Sequence, residues 1–340
     1  MPLGETARGS VWSAKDNREG KTVAIVLLDE DASDAARAHF LAIHLAAKLT
    51  SHPGLVRVLE TGETASGQLY AALEHAEGES LRARLAHGPP LRLDVAVRTI
   101  IEVLEALSGL HDQDLAHGDV SPGNLILREK GSRLSKRLVG LGIGRARVRA
   151  GEEPLDDEEQ LGELAFMSPA QARGEVVADA RSDTFSAAAV LYAALTGAPP
   201  HYGETLDALR DDVIDGPVWS VAQVRPEAAG AVAEVVDRAL GPDGFATAAE
   251  LAEALRTALL RSPKLGKLET PVGPLARVRP EAPPGDAAPA TRKTKAAFPK
   301  PGALPKPGAL PSAAAFPKPG ASPKAAAMPS AAPFPKPGAM

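Results

Sequence analysis

Cysteine is absent from the 340 residues, which excludes disulfides, cysteine-ligated zinc and thiol nucleophiles. That absence fits a cytoplasmic protein. The amino terminus, Met-Pro-Leu-Gly-Glu, shows neither a basic stretch nor an apolar one, so no secretory leader is visible. Long apolar runs are missing too. The most apolar stretch, Ala187 to Leu195, is nine residues and too short to span a bilayer. Residues 287–340 hold no Asp or Glu but carry Arg292 and seven lysines, a charge of +8. With a net charge of −5 overall, the rest of the chain carries −13. An acidic body is joined to a basic tail.

The body is rich enough in apolar residues to bury a core, at 44% of the chain. Ser10 to Ala14 and Thr22 to Leu28 are β-branched, apolar runs separated by the turn cluster Asp16 to Gly20, which predicts a hairpin. Ser33-Asp34 caps a helix running to about Thr50, with Leu41, Leu45 and Leu49 expected to give its buried face. Leu55 to Leu59 and Gln68 to Leu73 read as two more strands. From Ser80 onward the periodicity is helical: Leu93 to His111, Ser182 to Leu195, Ala228 to Leu240 and Thr247 to Leu260. The helix over 182–195 is apolar on nearly every side and is expected to be central. Strands followed by helices predict an α+β fold.

After Ser262 the composition changes. Residues 298–339 repeat a six-residue unit seven times, with Pro at its second position and Lys or Ser at its third. Such proline density removes backbone donors and forbids helix, so 263–340 is expected to be an extended, disordered tail. It reads as a spacer, as a docking strip, or as a contact for nucleic acid or another acidic surface; one lysine per hexad is sparse for nucleic acid.

Two segments carry the chemistry. His117-Gly118-Asp119-Val120-Ser121-Pro122-Gly123-Asn124 resembles the catalytic loop of protein kinases, H-R-D-x-x-x-x-N. Leu138 to Ile143 sits where that family has D-F-G. Around them, Leu3 to Val11 looks like a Gly-rich loop and Val23-Ala24-Ile25-Val26 like V-A-I-K. Leu73 to Gly78 resembles a hinge, Phe166 to Gln171 the A-P-E region, and Asp179 to Pro200 the central helix and its exit. In this order the motifs resemble a bacterial serine/threonine protein kinase over roughly residues 3–260. The resemblance implies a two-lobed fold: a β-rich lobe over 1–78 with one helix, a helical lobe over 79–262, and the tail over 263–340.

The family's working residues can be placed one by one. Nucleotide contact falls on Gly4, Gly9, Glu74 and Ala76, the base on Asp119 and a metal ligand on Asn124. The phosphate-holding lysine is Val26, and no Lys occurs in 22–47. Its helix partner is Ile43, and no Asp or Glu occurs in 35–59. Removing one member alone would leave an unpaired buried charge at a cost of ~3–5 kcal/mol; losing both lets two apolar residues pack. The metal-binding aspartate is Gly140, and no Asp occurs in 120–155. The H-R-D arginine is Gly118, and Ile143 to Met167 holds no Ser, Thr or Tyr to phosphorylate. The A-P-E glutamate is Ala170, and its usual arginine partner is Gly244. Asp183, which in the family tethers the catalytic loop, is kept.

These losses favour a pseudokinase: no enzyme and no cofactor, Asp119 a relic, and a role in binding protein partners of a signalling pathway. The alternative is an atypical active serine/threonine kinase that uses ATP and magnesium with Asp119 as base. A second alternative is an adaptor that works through the tail.

Overall fold

Turn chemistry between the first two apolar runs sets the amino-terminal sheet. In the computed structural model, which describes residues 2–6, 9–50, 52–131, 133–141, 162–175 and 178–262, β2 (Gly9–Lys15) and β3 (Thr22–Leu28) pair antiparallel, Gly9 opposite Leu28 and Lys15 opposite Thr22. Asp16 closes the turn. Its N–H donates to the Lys21 carbonyl at 2.8 Å, and its Oδ1 accepts the Arg18 N–H at 2.8 Å. β1 (Pro2–Thr6) flanks β2, while β5 (Leu69–Glu74) and β4 (Val58–Glu63) complete the order β1-β2-β3-β5-β4. The expected strand from Leu55 therefore starts later. Residues Gly54 to Val56 instead bond to Leu138: Val56 N–H donates to its carbonyl at 3.0 Å and its N–H donates to Gly54 at 2.8 Å.

Helix α1 (Asp34–Thr50) begins as expected, with Ser33 Oγ accepting the Ala36 N–H at 3.3 Å. Its buried face is a correction. Ala36, Phe40, Ile43, His44, Ala46 and Ala47 face the sheet, whereas Leu41, Leu45 and Leu49 are exposed. Both faces of this helix are apolar, so periodicity offers two stripes; the one holding Phe40 and β-branched Ile43 packs on the sheet.

The second half is helical. β6 (Glu79–Ser80), β7 (Leu125–Lys130) and β8 (Arg133–Leu138) form a small antiparallel sheet. α2 (Leu81–His87) and α3 (Leu93–His111) lie in the chain between β6 and β7, and the segment His117 to Asn124 follows α3. α4 (Pro169–Ala172), α5 (Ala180–Thr196), α6 (Leu206–Asp215), α7 (Val221–Val224), α8 (Ala231–Leu240) and α9 (Ala248–Leu260) follow. α5 is buried almost throughout and packs against α3, α8 and α9, so it is the central helix that its composition predicts. A reciprocal cap starts it: Asp179 Oδ1 accepts the Ser182 N–H at 2.6 Å, and Ser182 Oγ accepts the Asp179 N–H at 2.8 Å. The helix expected over 228–240 is shorter, because Gly230 at φ +130° separates α8 from the 3-10 turn Pro226–Ala228.

Arg225 locks the far side of this lobe. It is buried, and its Nη1 donates to the carbonyls of Leu91 at 3.0 Å and Leu195 at 2.9 Å. No helix among the described residues is long and apolar enough to cross a membrane. The hexad repeats and the acidic run Asp156 to Glu159 lie outside the described residues.

Candidate active site

The segment His117 to Asn124 links α3 to β7, and a residue on α5 fixes it. Asp183, 2% exposed, accepts the backbone N–H of His117 at 2.7 Å on Oδ2 and that of Gly118 at 2.8 Å on Oδ1. His111 Nε2 lies 2.9 Å from the same Oδ2. Gly118 sits at φ +80°, the left-handed region that a glycine adopts without strain. The retained Asp183 therefore does here what the resemblance implies for it.

His117 joins the loop to the segment before Gly140. Asp119 N–H donates to His117 Nδ1 at 3.2 Å, so the ring proton is on Nε2, which donates to the Val139 carbonyl at 3.1 Å. Burial pushes the His117 pKa down, which keeps this neutral tautomer. Asn124 closes the loop on itself. Its Nδ2 donates to the Asp119 carbonyl at 3.0 Å, and its backbone carbonyl accepts the Val139 N–H at 2.9 Å. Asp119 is thus held by its own N–H and carbonyl. Its carboxylate Oδ1 is buried and has no hydrogen-bond partner among the described residues.

Other sequence-predicted positions are placed by packing. Val26 is 2% exposed and Ile43 is 0% exposed, and both belong to the main hydrophobic core. Val26 stands opposite Val11 on one side and Ala71 on the other. Gly140 lies at φ +87°, and a Cβ there would come within 2.8 Å of Asn124 Cγ and Nδ2. An aspartate at 140 would have to displace Asn124. Packing alone requires glycine at Gly9, since a Cβ would lie 1.8 Å from the Leu27 carbonyl oxygen. Gly4 lies in β1 opposite Val11, so this part of the Gly-rich segment runs as a strand. Glu74 ends β5, its carboxylate 3.6 Å from Arg57 Nε, and Ala76 is half-buried beyond it. Ala170 sits in α4, capped by Ser168, while a Cβ at Gly244 would lie 3.0 Å from the Ala239 carbonyl.

Sequence reasoning missed one cation. Arg82, in the first turn of α2, donates its backbone N–H to the Pro122 carbonyl at 3.0 Å. Its exposed guanidinium lies beside Gly123, where a Cβ would be 3.1 Å from Nη2, and near Gly162. Some 40 residues separate Arg82 from the loop it borders, and no local pattern marks it.

The donor set does not fit the magnesium and triphosphate arrangement of the family. Val26 offers no cation, Gly140 no carboxylate, and one Asn124 donor is engaged by Asp119. Among the described residues no group of three or more His, Cys, Asp or Glu could hold a metal ion. What the loop retains is a carboxylate on a backbone-fixed residue, Asp119, and an exposed guanidinium, Arg82, beside Gly123.

Residues 1–238 match the family described as protein kinase domain. "Serine/threonine-protein kinase PknB" of Mycolicibacterium smegmatis is 32% identical over 298 residues, covering 84% of this chain and 46% of that protein. "Probable serine/threonine-protein kinase CE0033" of Corynebacterium efficiens is 31% identical over 265 residues, covering 74% and 40%. "Serine/threonine-protein kinase PknB" of Mycobacterium tuberculosis is 33% identical over 208 residues, covering 60% and 33%. The chain therefore spans less than half the length of each of these relatives.

These relatives correct the expectation that the chain is not an enzyme. They are named as kinases at 31–33% identity. The charged groups expected at 26, 43 and 140 are absent, yet Asp119 and the backbone bonds around it are kept. The expectation set Asp119 aside as a relic because the charges around it are missing.

Proposed function

The chain belongs to the protein kinase family, and from that premise we propose that it is an atypical serine/threonine kinase, moving a phosphoryl group from ATP to a protein hydroxyl. One observation carries this reading: the buried, unpaired Oδ1 of Asp119. Leaving a buried acceptor without a donor costs roughly 1–3 kcal/mol, more when it is charged. A substrate hydroxyl brought to that oxygen supplies the missing donor and hands it a proton as the phosphoryl group arrives. The backbone bonds to Asp183 and Asn124 fix the main chain that carries this carboxylate, which limits the reorganisation needed.

Nucleotide contact is proposed along Gly4, Gly9 and the backbone from Glu74 to Ala76. Arg82 is proposed to face the incoming phosphate or an acidic part of the substrate. Without a lysine at 26 the reaction is slow; removal of a single preorganised charge-stabilising donor typically lowers turnover about 10²–10³-fold. The protein partners are then its substrates. The test is transfer of label from γ-labelled ATP, compared between the unaltered protein and Asp119→Asn; absence of any transfer refutes the proposal.

A further inference from the structure

Seven large hydrophobic residues are exposed among the described residues, and three of them, Leu41, Leu45 and Leu49, lie on α1 at 40%, 58% and 70% exposure. Isolated exposed leucines need no explanation, but three in a line on one helix form a patch. The pattern extends beyond the leucines. Asp34, Ala38, Leu41, Leu45 and Lys48 are all exposed and recur at steps of four, three, four and three. That is the spacing of a coiled-coil seam, which keeps one line of residues facing a partner helix. Over 15 residues it is about 21 Å long.

The ends of the seam say which partner fits. Asp34 stands at the start and Lys48 at the end, and neither forms an ion pair among the described residues. Laid antiparallel on a second copy of α1, Asp34 meets Lys48 of the second copy and Lys48 meets its Asp34. Ala38 then faces Leu45 of the second copy, small against large, and Leu41 faces Leu41 at the centre. A parallel arrangement would set Asp34 against Asp34 and Lys48 against Lys48. The seam is therefore self-complementary about a two-fold axis, as a symmetric dimer requires.

We propose that the exposed face of α1 is a homodimer interface, formed by antiparallel pairing of two α1 helices about Leu41. This is independent of the activity proposed above. One helix pair is smaller than the ~1,200–2,000 Å² of a standard stable interface, so the dimer is reversible.

The missing cysteine makes the test clean, because an introduced thiol is the sole one in the chain. In the full chain, Leu41→Cys should cross-link to itself under mild oxidation. Leu260→Cys, at a residue 82% exposed on α9, is the control and should not. Adding Leu45→Lys to Leu41→Cys should abolish the cross-link. By sedimentation, the unaltered chain should dimerise with concentration, and Leu45→Lys should weaken dimerisation at least tenfold. Asp34→Lys or Lys48→Asp alone should weaken it, and the two together should restore it. A chain that stays monomeric to about 100 μM, the range of weak complexes, overturns the proposal. So does a Leu41→Cys cross-link no faster than the control, a dimer insensitive to Leu45→Lys, or charge reversals that fail to compensate each other.

Discussion

Asp183 and His117 stand 66 residues apart, yet the Asp183 carboxylate accepts the His117 backbone N–H at 2.7 Å and, through its other oxygen, the Gly118 N–H at 2.8 Å. One buried side chain on α5 thus sets the path of the segment that carries Asp119. Asp183→Ala leaves two backbone donors without their acceptor. It should destabilise the fold by about 2–6 kcal/mol, taking 1–3 kcal/mol for each unsatisfied buried group. Asp183→Asn should cost less, because the amide still accepts one bond while turning a donor toward the other N–H. Urea unfolding of the three proteins checks this order; equal stability of all three would show that the loop does not depend on Asp183.

Val26 and Ile43 are packed into one core, and this sets the outcome of restoring charge there. Val26→Lys alone buries a cation without a partner and should destabilise by ~3–5 kcal/mol. Ile43→Glu alone should do the same. The double variant should be more stable than the sum of the two losses implies, by at least ~1 kcal/mol, as expected for neighbouring opposite charges. A double-mutant cycle in denaturant measures the coupling. Strict additivity would mean that the two positions do not face each other.

Gly140 cannot simply take back a carboxylate. Its φ of +87° and the 2.8 Å approach to Asn124 mean that Gly140→Asp and Gly140→Ala should both destabilise, by roughly 1–3 kcal/mol for a side chain held in a disfavoured backbone region. Gly140→Asp should not raise phosphoryl transfer, since it displaces Asn124. Adding Asn124→Ala should lessen the stability loss of Gly140→Ala. A Gly140→Asp protein that is as stable as the parent and faster would contradict this.

Acid should loosen the fold through His44. This side chain is fully buried under the sheet, donates Nδ1–H to the Phe40 carbonyl at 2.7 Å, and leaves Nε2 without a partner among the described residues. Burial lowers its pKa to about 4 from 6.5. Between those values the unfolded chain binds the proton and the folded chain does not. Stability therefore falls as pH drops through 6.5 toward 4, by up to roughly 3 kcal/mol at one pKa unit per 1.36 kcal/mol. Burial lowers the pKa of His117 and His201 as well, in the same direction. His44→Leu should flatten the loss of stability between pH 7 and pH 5; an unchanged slope would rule His44 out as its source.

Much of the fold is legible in local pattern. The Asp16 to Gly20 turn fixes the first hairpin, α3 runs from Leu93 to His111 as its periodicity indicates, and α5 is the buried helix that its all-round apolarity requires. What is not legible depends on which of two apolar surfaces meets the sheet, or on contacts far apart in sequence. The leucine face of α1 is the first kind, because alanine, leucine and isoleucine on both sides leave periodicity undecided. Arg82 beside Gly123 and the steric closure of Gly140 by Asn124 are the second. The candidate site was readable as a set of positions, and its missing charges were plain. That Asp119 keeps a buried oxygen without a donor was not, since it follows from how α5, Asn124 and His117 together engage the rest of the loop.

The base assignment is tested most directly by incubating the full chain with γ-labelled ATP and a generic protein substrate, in magnesium and in manganese, beside Asp119→Asn. Slow transfer to serine or threonine by the unaltered chain, lost in Asp119→Asn while the melting temperature is unchanged, is the expected result. No transfer under any of these conditions, or equal transfer by Asp119→Asn, would contradict it.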